Sequence, residues 1–391
     1  MRRLKKLAVL LMTLLVLSVF PASAVSAADD TVYLRVYNWG EYVSNGEDGT
    51  LDTIKEFERR FPHIKVDYTT YATNEELYAK LKSGAASYDV IFPSDYMISR
   101  MIEEDMLVKL NFDNIPNFSD VMDSFKNLEY DPTNEYSVPY TWGTVGIVYN
   151  TTMVEEAPTS WEALWDPAYT NQILMFNNSR DAFGIALKKL GYSQNTTEKA
   201  KLDEAAEELK EQKSVLQAYV MDEIFDKMQS GEAALAPYYA GDALTMIADN
   251  SDLAFVIPEE GTNRFVDAMV IPKGVRYQKE AEQFINFMLE TDIAMANIEY
   301  LGYSTPQQSV YDQLDEEIIH DGISYPDDTV LAKCDTFINL PDETNDYMKE
   351  LWVDILASGE SSVWELLFLI AVILGLGIAT IVYLRKRKKG F

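Results

Sequence analysis

Short apolar runs and amphipathic stretches alternate along most of the chain. The apolar runs that predict strands are residues 32–39, 64–68, 88–92, 172–176, 233–239 and 265–271. The stretches in which apolar residues recur every three or four positions predict helices at residues 51–61, 74–83, 181–190, 201–212 and 281–288. This order of short strands and helices predicts an α/β fold built from parallel strand–helix units.

The N-terminal end departs from this pattern. Residues 1–27 begin with basic side chains, continue with an apolar run and end with small residues. That order is typical of a secretory signal peptide. Cleavage after Ala24 or after Ala27 fits equally well.

The C-terminal end departs from it as well. Residues 366–384 carry no charge, and a helix of that length, rising about 1.5 Å per residue, would span a bilayer core of about 30 Å. A linker at 358–365 precedes this run, and a basic tail at 385–391 follows it. The sequence therefore predicts one transmembrane helix with a cytoplasmic C-terminus. We expect a single-pass protein of the cell membrane whose folded part is extracytoplasmic.

Charge and composition exclude several classes of protein. The net charge of the whole chain is −30, and the middle is more acidic still because nine of the 33 basic residues lie in the two ends. Such a surface repels nucleic acid and attracts cations. A single cysteine, Cys334, excludes an intrachain disulfide, and with only two histidines we expect no metal and no cofactor. No nucleophile motif or phosphate-binding motif is present in the sequence, so we do not expect an enzyme.

Aromatic and acidic residues concentrate directly after the predicted strands. They lie in the segments 38–42, 93–96, 178–181 and 238–242, and Asp267 interrupts an otherwise apolar strand. In α/β sheets, ligands bind at the carboxyl ends of strands, so these segments are the expected binding loops. An organic ammonium that leaves water needs a carboxylate for its charge and flat apolar surface for its carbons. Aromatic rings supply that surface and attract the cation, so the pattern favours a site for a diamine or triamine.

Each of these residues also has a structural interpretation. The rings after strands could pack at the rim, Asn178 could be a helix N-cap, and Asp181 could compensate the helix dipole. Asp267 is harder to explain in this way, because a carboxylate within an apolar strand needs a partner when it is buried. A receptor for an anion would need basic residues, and these loops contain only Arg180 and Arg264.

Five segments of the chain resemble the spermidine/putrescine-binding proteins of bacterial ABC importers. They are residues 37–43 (YNWGEYV), 92–96 (FPSDY), 140–144 (YTWGT), 189–193 (KLGYS) and 301–306 (LGYSTP). Their order and spacing carry the resemblance, which runs from about residue 32 to about residue 356 and excludes the C-terminal apolar run.

The resemblance implies a two-lobed α/β fold like that of periplasmic binding proteins, with crossover hinge strands and a polyamine in the cleft. We expect the first lobe to comprise residues 28–141 and 267–311. The second lobe would then comprise residues 142–266 and 312–357.

The resemblance also implies the residues that bind the ligand. They are Trp39, Tyr42, Ser94, Asp95, Tyr96, Asn178, Asp181, Tyr239, Phe265, Asp267 and Tyr303. Three positions depart from the spermidine binders of the family: Asn178 replaces an acid, and Tyr239 and Phe265 stand where those members carry Trp. Asp95 is an acid that could compensate for Asn178, and a late Gln of the family pattern has no clear counterpart. These departures leave the preferred polyamine open.

The function that the sequence favours is that of a receptor. We expect the substrate-binding protein of an ABC importer, which captures spermidine or putrescine and delivers it to the permease and ATPase subunits. We expect a monomer held at the membrane by its C-terminal helix. A receptor for another small organic cation or solute is the alternative, and a surface enzyme or an adhesin is a more remote one.

Overall fold

The computed structural model describes residues 31–358, in which nine strands and thirteen helices are connected by loops and short 3-10 turns. The strands are β1 (Val32–Trp39), β2 (Ile64–Tyr71), β3 (Val90–Ile91), β4 (Ser137–Asn150), β5 (Ile173–Phe176), β6 (Leu216–Val220), β7 (Leu235–Tyr239), β8 (Leu253–Val256) and β9 (Arg264–Val270). The helices are α1 (Thr53–Arg60), α2 (Asn74–Lys82), α3 (Asp95–Glu103), α4 (Ser179–Lys189), α5 (Lys199–Gln212), α6 (Glu223–Gln229), α7 (Ala240–Asp249), α8 (Gln278–Met288), α9 (Thr291–Leu301), α10 (Gln308–Tyr311), α11 (Glu316–Ile319), α12 (Asp328–Leu331) and α13 (Asp342–Ala357).

Two strands cross between the lobes. The order in the sheet is β2-β1-β3-β9-β4-β7-β5-β6, with β8 paired to β4. Residues 137–144 of β4 pair with β9 in the first lobe, and residues 145–150 pair with β7 and β8 in the second. The long strand β4 therefore leads from one lobe into the other, and β9 runs antiparallel to it on the way back.

The sheet is mixed, which corrects the expectation of purely parallel units. Strand β1 is parallel to β2 and to β3, and β5 is parallel to β6 and to β7. The crossover strands differ: β9 is antiparallel to β3 and to β4, and β4 is antiparallel to β7. The parallel prediction holds for β1, β2 and β3 in the first lobe and for β5, β6 and β7 in the second. It fails for every pair that involves β4 or β9, because these two strands run antiparallel to all their neighbours.

Local sequence explains where several helices begin. Thr73 precedes α2, and its side chain accepts a hydrogen bond from the backbone N–H of Glu76 at 3.1 Å. Asn178 precedes α4, and its side chain accepts one from the backbone N–H of Asp181 at 2.9 Å. Each oxygen satisfies a backbone donor that the first turn of a helix leaves without a partner.

The apolar core is continuous through both lobes. It includes most of β4 and β9 and the inner faces of α4, α5 and α8. Helix α5 packs against α4 and α13, so the last described helix is part of the second lobe. This packing holds the carboxyl ends of β1, β3, β5 and β7, and the loops that follow them, in fixed positions.

The segments predicted at the two ends of the chain lie outside the described residues. They are the signal peptide at 1–27, the linker at 358–365 apart from Ser358, the membrane helix at 366–384 and the tail at 385–391. Among residues 31–358, no helix combines the length and the apolar character that a membrane crossing requires.

Candidate functional site

A cavity lies between the lobes at the ends of the strands. It encloses about 680 Å³, open solvent at its mouth included. Ten of the eleven predicted site residues line it: Trp39, Tyr42, Ser94, Asp95, Tyr96, Asp181, Tyr239, Phe265, Asp267 and Tyr303. Asn178 does not line it.

Aromatic rings form a continuous wall of the cavity. The ring centroids of Tyr42 and Tyr303 are 5.4 Å apart, those of Tyr303 and Phe265 are 6.1 Å apart, and those of Phe265 and Tyr239 are 5.4 Å apart. All three pairs meet edge to face, the arrangement that aromatic quadrupoles prefer. Trp39 is fixed separately, because its indole N–H donates to the carbonyl oxygen of Phe92 at 2.8 Å. The wall offers flat apolar surface to a ligand without a change of ring positions.

Asp267 lines the cavity with a buried carboxylate that has only one of its two oxygens hydrogen-bonded within residues 31–358. Its Oδ2 accepts a hydrogen bond from the hydroxyl of Tyr42 at 2.5 Å, and that hydroxyl also lies 2.5 Å from Oγ1 of Thr141. Its Oδ1 is buried and has no hydrogen-bond partner among the described residues. Burial raises the pKa of Asp267 to about 6, against the lowering effect of the neighbouring Ser94 and Tyr42 hydroxyls. A buried carboxylate oxygen without a donor calls for a donor from a ligand.

Asp242 is a cavity residue that sequence reasoning did not select. It lies in the first turn of α7, and its Oδ2 accepts a hydrogen bond from the hydroxyl of Tyr303 at 2.9 Å. Burial raises its pKa to about 8. The signal was present in the sequence, because Asp242 ends the segment 238–242, but an acid in a first turn is also explained by the helix dipole. Neighbouring Gly241 lets the ring approach, since a Cβ there would lie 2.3 Å from Cδ2 of Tyr303.

Asn178 acts as the helix cap that its structural interpretation predicts. Its amide nitrogen donates to Oδ2 of Asp181 at 2.7 Å, and the hydroxyl of Tyr239 donates to the same oxygen at 2.9 Å. Asn178 therefore stands behind Asp181 and orients a carboxylate that does line the cavity. Burial raises the pKa of Asp181, and both hydrogen bonds lower it.

Both carboxylate oxygens of Asp95 accept hydrogen bonds from the backbone. Its Oδ1 accepts from the N–H of Tyr96 at 2.7 Å, and its Oδ2 accepts from the N–H of Val266 at 3.1 Å. Burial raises its pKa to about 8. These bonds tie the start of α3 to the crossover strand β9. Asp95 thus lines the cavity, but it is not the unengaged acid that would replace the one missing at Asn178.

The remaining predicted residues are held by hydrogen bonds within the first lobe. The amide nitrogen of Asn74 donates to Oγ of Ser94 at 3.0 Å, and the N–H of Ser94 donates back to the amide oxygen at 3.2 Å. The hydroxyl of Tyr96 donates to Oε1 of Glu75 at 2.9 Å. The loop before α3 is therefore rigid on the side that faces the cavity.

The charge of the cavity is of one sign. Beside the acids described above it is lined by Glu41 and Asp222, and none of its described lining residues is Lys, Arg or His. Arg180 lies behind the wall, 4.3 Å from the ring centroid of Phe337, and donates to the carbonyl oxygen of Gln194. Within the described part of the chain, no group of three His, Cys, Asp or Glu residues is placed to hold a metal ion. The arrangement suits an organic cation.

Comparisons with known proteins identify the family of the chain. Residues 85–319 match the family described as bacterial extracellular solute-binding protein. The spermidine/putrescine-binding periplasmic protein of Salmonella typhimurium is 36% identical over 316 residues, which are 80% of this chain and 88% of that protein.

Solved structures of similar fold belong to proteins described in similar terms. A Listeria monocytogenes protein, described as a candidate spermidine/putrescine ABC transporter, is 38% identical with a TM-score of 0.79 and covers 84% of this chain and 99% of its own. The spermidine/putrescine ABC transporter substrate-binding protein of Streptococcus pneumoniae is 36% identical with a TM-score of 0.69 and covers 83% and 98%. The two-lobed fold and the resemblance that the sequence suggested are confirmed.

One expectation is corrected by the relatives. The sequence predicted a single-pass protein of the cell membrane with a cytoplasmic C-terminus, and that prediction is wrong by this comparison, because the curated relatives are named periplasmic binding proteins. The apolar character of residues 366–384 alone was an insufficient basis for a location. On family model, sequence and fold together, the chain belongs to the bacterial extracellular solute-binding proteins.

Proposed function

We propose that the protein is the substrate-binding receptor of an ABC importer for polyamines, and that it captures putrescine or spermidine in the cavity between its lobes. The observation that carries the proposal is the buried Oδ1 of Asp267, which has no hydrogen-bond partner within residues 31–358 and lies beside a wall of aromatic rings. The names of the relatives, which bind spermidine and putrescine, support the same ligand class.

The cavity replaces what an ammonium loses when it leaves water. Asp267 supplies a charged acceptor, and the surrounding rings attract the cation through their faces. The methylene carbons of the ligand then lie against Phe265 and Tyr303, whose rings are already positioned. Because these groups are held by their own contacts before the ligand arrives, little ordering is needed on binding.

A second ammonium needs a second carboxylate, and two of the acids that line the cavity are oriented by a tyrosine of the aromatic wall. Asp242 accepts a hydrogen bond from the hydroxyl of Tyr303, and Asp181 accepts one from the hydroxyl of Tyr239. A diamine would use Asp267 and one of these acids, and a triamine would use all three. We propose that the choice between putrescine and spermidine depends on which of the two acids the ligand engages.

Delivery to the importer follows from the two-lobed arrangement. The lobes are joined by β4 and β9, and residues of both lobes line the cavity. A ligand that contacts both lobes stabilises the closed arrangement by its differential affinity for it. We propose that the permease and its ATPase subunits recognise this closed form. The protein itself performs no chemistry in this scheme.

Calorimetric titration of the purified protein tests the proposal. Putrescine and spermidine should bind with a 1:1 stoichiometry, whereas 1,4-butanediol, which has the carbon chain of putrescine without its charges, should not bind. Succinate, which has two carboxylates and no ammonium, serves as the anionic control and should not bind either. Equal binding of the diol and the diamine, or no heat with any polyamine, would contradict the proposed function.

A further inference from the structure

A second cavity lies beyond the wall of the first. It encloses about 1080 Å³, open solvent at its mouth included, and shares only Asp95 and Phe337 with the cavity that we assign to polyamines. Its walls come from α3, from residues 124–130, from β9 and from residues 336–339. Both lobes therefore contribute to it, and it is separate from the polyamine site.

Arg264 is the only basic residue among the described residues that line this second cavity. Its guanidinium carbon lies 4.9 Å from the ring centroid of Trp142 and 5.6 Å from that of Phe125. Its Nε is buried without a hydrogen-bond partner, and it forms no ion pair with the other residues between 31 and 358. A guanidinium with unused donors fits a carboxylate from outside the chain.

The other charges of this cavity are negative. Glu103 and Glu129 both line it, and Oε2 of Glu103 accepts a hydrogen bond from the amide of Asn339 at 2.7 Å. Leu128 and Val266 supply apolar surface between these charged groups. Asp95 is the third acid of its lining, and the backbone N–H groups of Tyr96 and Val266 already occupy both of its carboxylate oxygens. The cavity thus presents one cationic group, three acids and an apolar lining.

We propose that this second cavity binds a small zwitterion, an α-amino acid with an apolar side chain. Its carboxylate pairs with Arg264, its ammonium pairs with Glu129, and its side chain lies against the apolar lining. This inference does not depend on the proposed function, because the two cavities use different residues for recognition.

Neither charge alone suits the cavity as well. A simple anion would approach a protein of net charge −30 and would meet the acids Asp95, Glu103 and Glu129 in the same cavity as the guanidinium. A simple amine would meet the guanidinium of Arg264, which repels it. A zwitterion satisfies both groups and adds no net charge.

L-leucine and its two blocked forms test the proposal by calorimetric titration of the full protein at pH 7. N-acetyl-L-leucine lacks the ammonium and L-leucinamide lacks the carboxylate. We expect L-leucine to bind and each blocked form to bind at least about ten-fold more weakly, because each lacks one ion pair. No heat with L-leucine, or equal affinity for all three compounds, would overturn the proposal.

Two variants locate the binding. Arg264→Gln and Glu129→Gln should each lower the affinity for L-leucine by at least about ten-fold and leave the affinity for putrescine unchanged. Should Arg264→Gln fail to fold, Glu129→Gln, at an exposed position, still decides the question. L-leucine binding that survives these changes, or that putrescine displaces competitively, would place it in the polyamine cavity and overturn the proposal. Failure of polyamine binding itself would show in the parent protein, so the two proposals fail separately.

Discussion

The hydroxyl of Tyr42 donates a hydrogen bond to Oδ2 of Asp267 at 2.5 Å and thereby joins the loop after β1 to the crossover strand β9. This bond orients the carboxylate so that one oxygen is satisfied by the protein and the other, Oδ1, is not. The protein thus accepts the cost of a buried oxygen without a donor. That cost is recovered only when a ligand supplies the donor.

Asp267→Asn should abolish most of the polyamine affinity. The substitution keeps the shape and removes the charge, and losing one partner of a desolvated ion pair costs about 2–5 kcal/mol, or roughly 30- to 5,000-fold in affinity. The melting temperature of the empty protein should not fall, because a neutral amide is easier to bury than a carboxylate. Titration and melting of the variant check both parts, with the exposed Asp346→Asn as the matched control. Intact affinity with a lowered melting temperature would show that Asp267 is a structural residue.

The empty protein should lose stability as the pH rises from about 5 to about 9. Burial raises the pKa of Asp267 to about 6 and the pKa of Asp95 and of Asp242 to about 8, all above the ordinary value of 3.8 for an aspartate. The folded state therefore binds more protons than the unfolded state across this range, and stability is lost as each group ionises. The lowered pKa values of Glu56 and Glu104, both about 2, act only below about pH 4.5.

Melting curves at several pH values check this prediction. A saturating polyamine should raise the melting temperature more at pH 8 than at pH 5, since the ligand pairs with the ionised carboxylates and displaces their protons. Proton release on binding is measured by titration in buffers of different ionisation enthalpy. A melting temperature that rises steadily from pH 5 to pH 9 would contradict the raised pKa values.

A structural element can be predicted from the sequence when the residues that determine it lie close together in the chain. Strand β1 was predictable from the apolar pattern of its own residues. Helix α2 was predictable from the capping threonine that directly precedes it. The long strand β4 was not predicted, since all but one of its residues are buried and its pattern does not alternate. Strand β3 is only two residues long because, of the predicted residues 88–92, Val90 and Ile91 alone pair with the neighbouring strands β1 and β9.

The same distinction applies to the site. The acids and rings that follow strands were predictable because strand ends converge in an α/β sheet. Phe337 was not, because it comes from an irregular segment and reaches the cavity wall only through tertiary packing against Tyr96, with ring centroids 5.9 Å apart. The engagement of Asp95 by the backbone of Val266 is likewise a contact between residues distant in sequence.

Asp242→Asn should weaken polyamine binding by removing the second carboxylate. We expect a loss of roughly ten-fold or more for any ligand whose second ammonium engages it, because a charged acceptor becomes neutral. Tyr303→Phe removes the hydroxyl that orients the carboxylate and keeps the ring. A double-mutant cycle of the two positions should give non-additive losses, since they act through one hydrogen bond. Additive losses would show that the two residues bind independently.

Phe265→Leu should lower the affinity for all polyamines without unfolding the protein. Leucine keeps much of the apolar volume and removes the ring face, whose attraction for a cation is worth about 0.5–2 kcal/mol, or roughly 2- to 30-fold. Phe284→Leu is the matched control, because Phe284 is fully buried in the core and does not line the cavity. The control should lower the melting temperature and leave affinity unchanged. Equal affinities of the Phe265 variant and the parent would exclude the ring from the site.

Asn178→Asp tests whether the departure at position 178 changes the ligand preference. By the family pattern alone, an acid here would favour the longer and more charged polyamine. The structure supports a different expectation, because Asn178 lies behind Asp181 and donates to its Oδ2 at 2.7 Å. An aspartate would still cap α4, but it would replace a donor by a second carboxylate next to the first, and like charges raise each other's pKa.

The variant should therefore be less stable than the parent when empty at pH 8, by about 1–3 kcal/mol, the usual cost of leaving a buried polar group unsatisfied. The ratio of the spermidine and putrescine dissociation constants should stay within about two-fold of the parent's, since residue 178 does not line the cavity. Asn178→Ser, which keeps a capping oxygen and adds no charge, separates the loss of the donor from the added repulsion. Melting curves and paired titrations of both variants make the measurement. A shift of about ten-fold toward spermidine in the aspartate variant would mean that position 178 acts on the ligand itself, and the cap would then be the lesser part of its role.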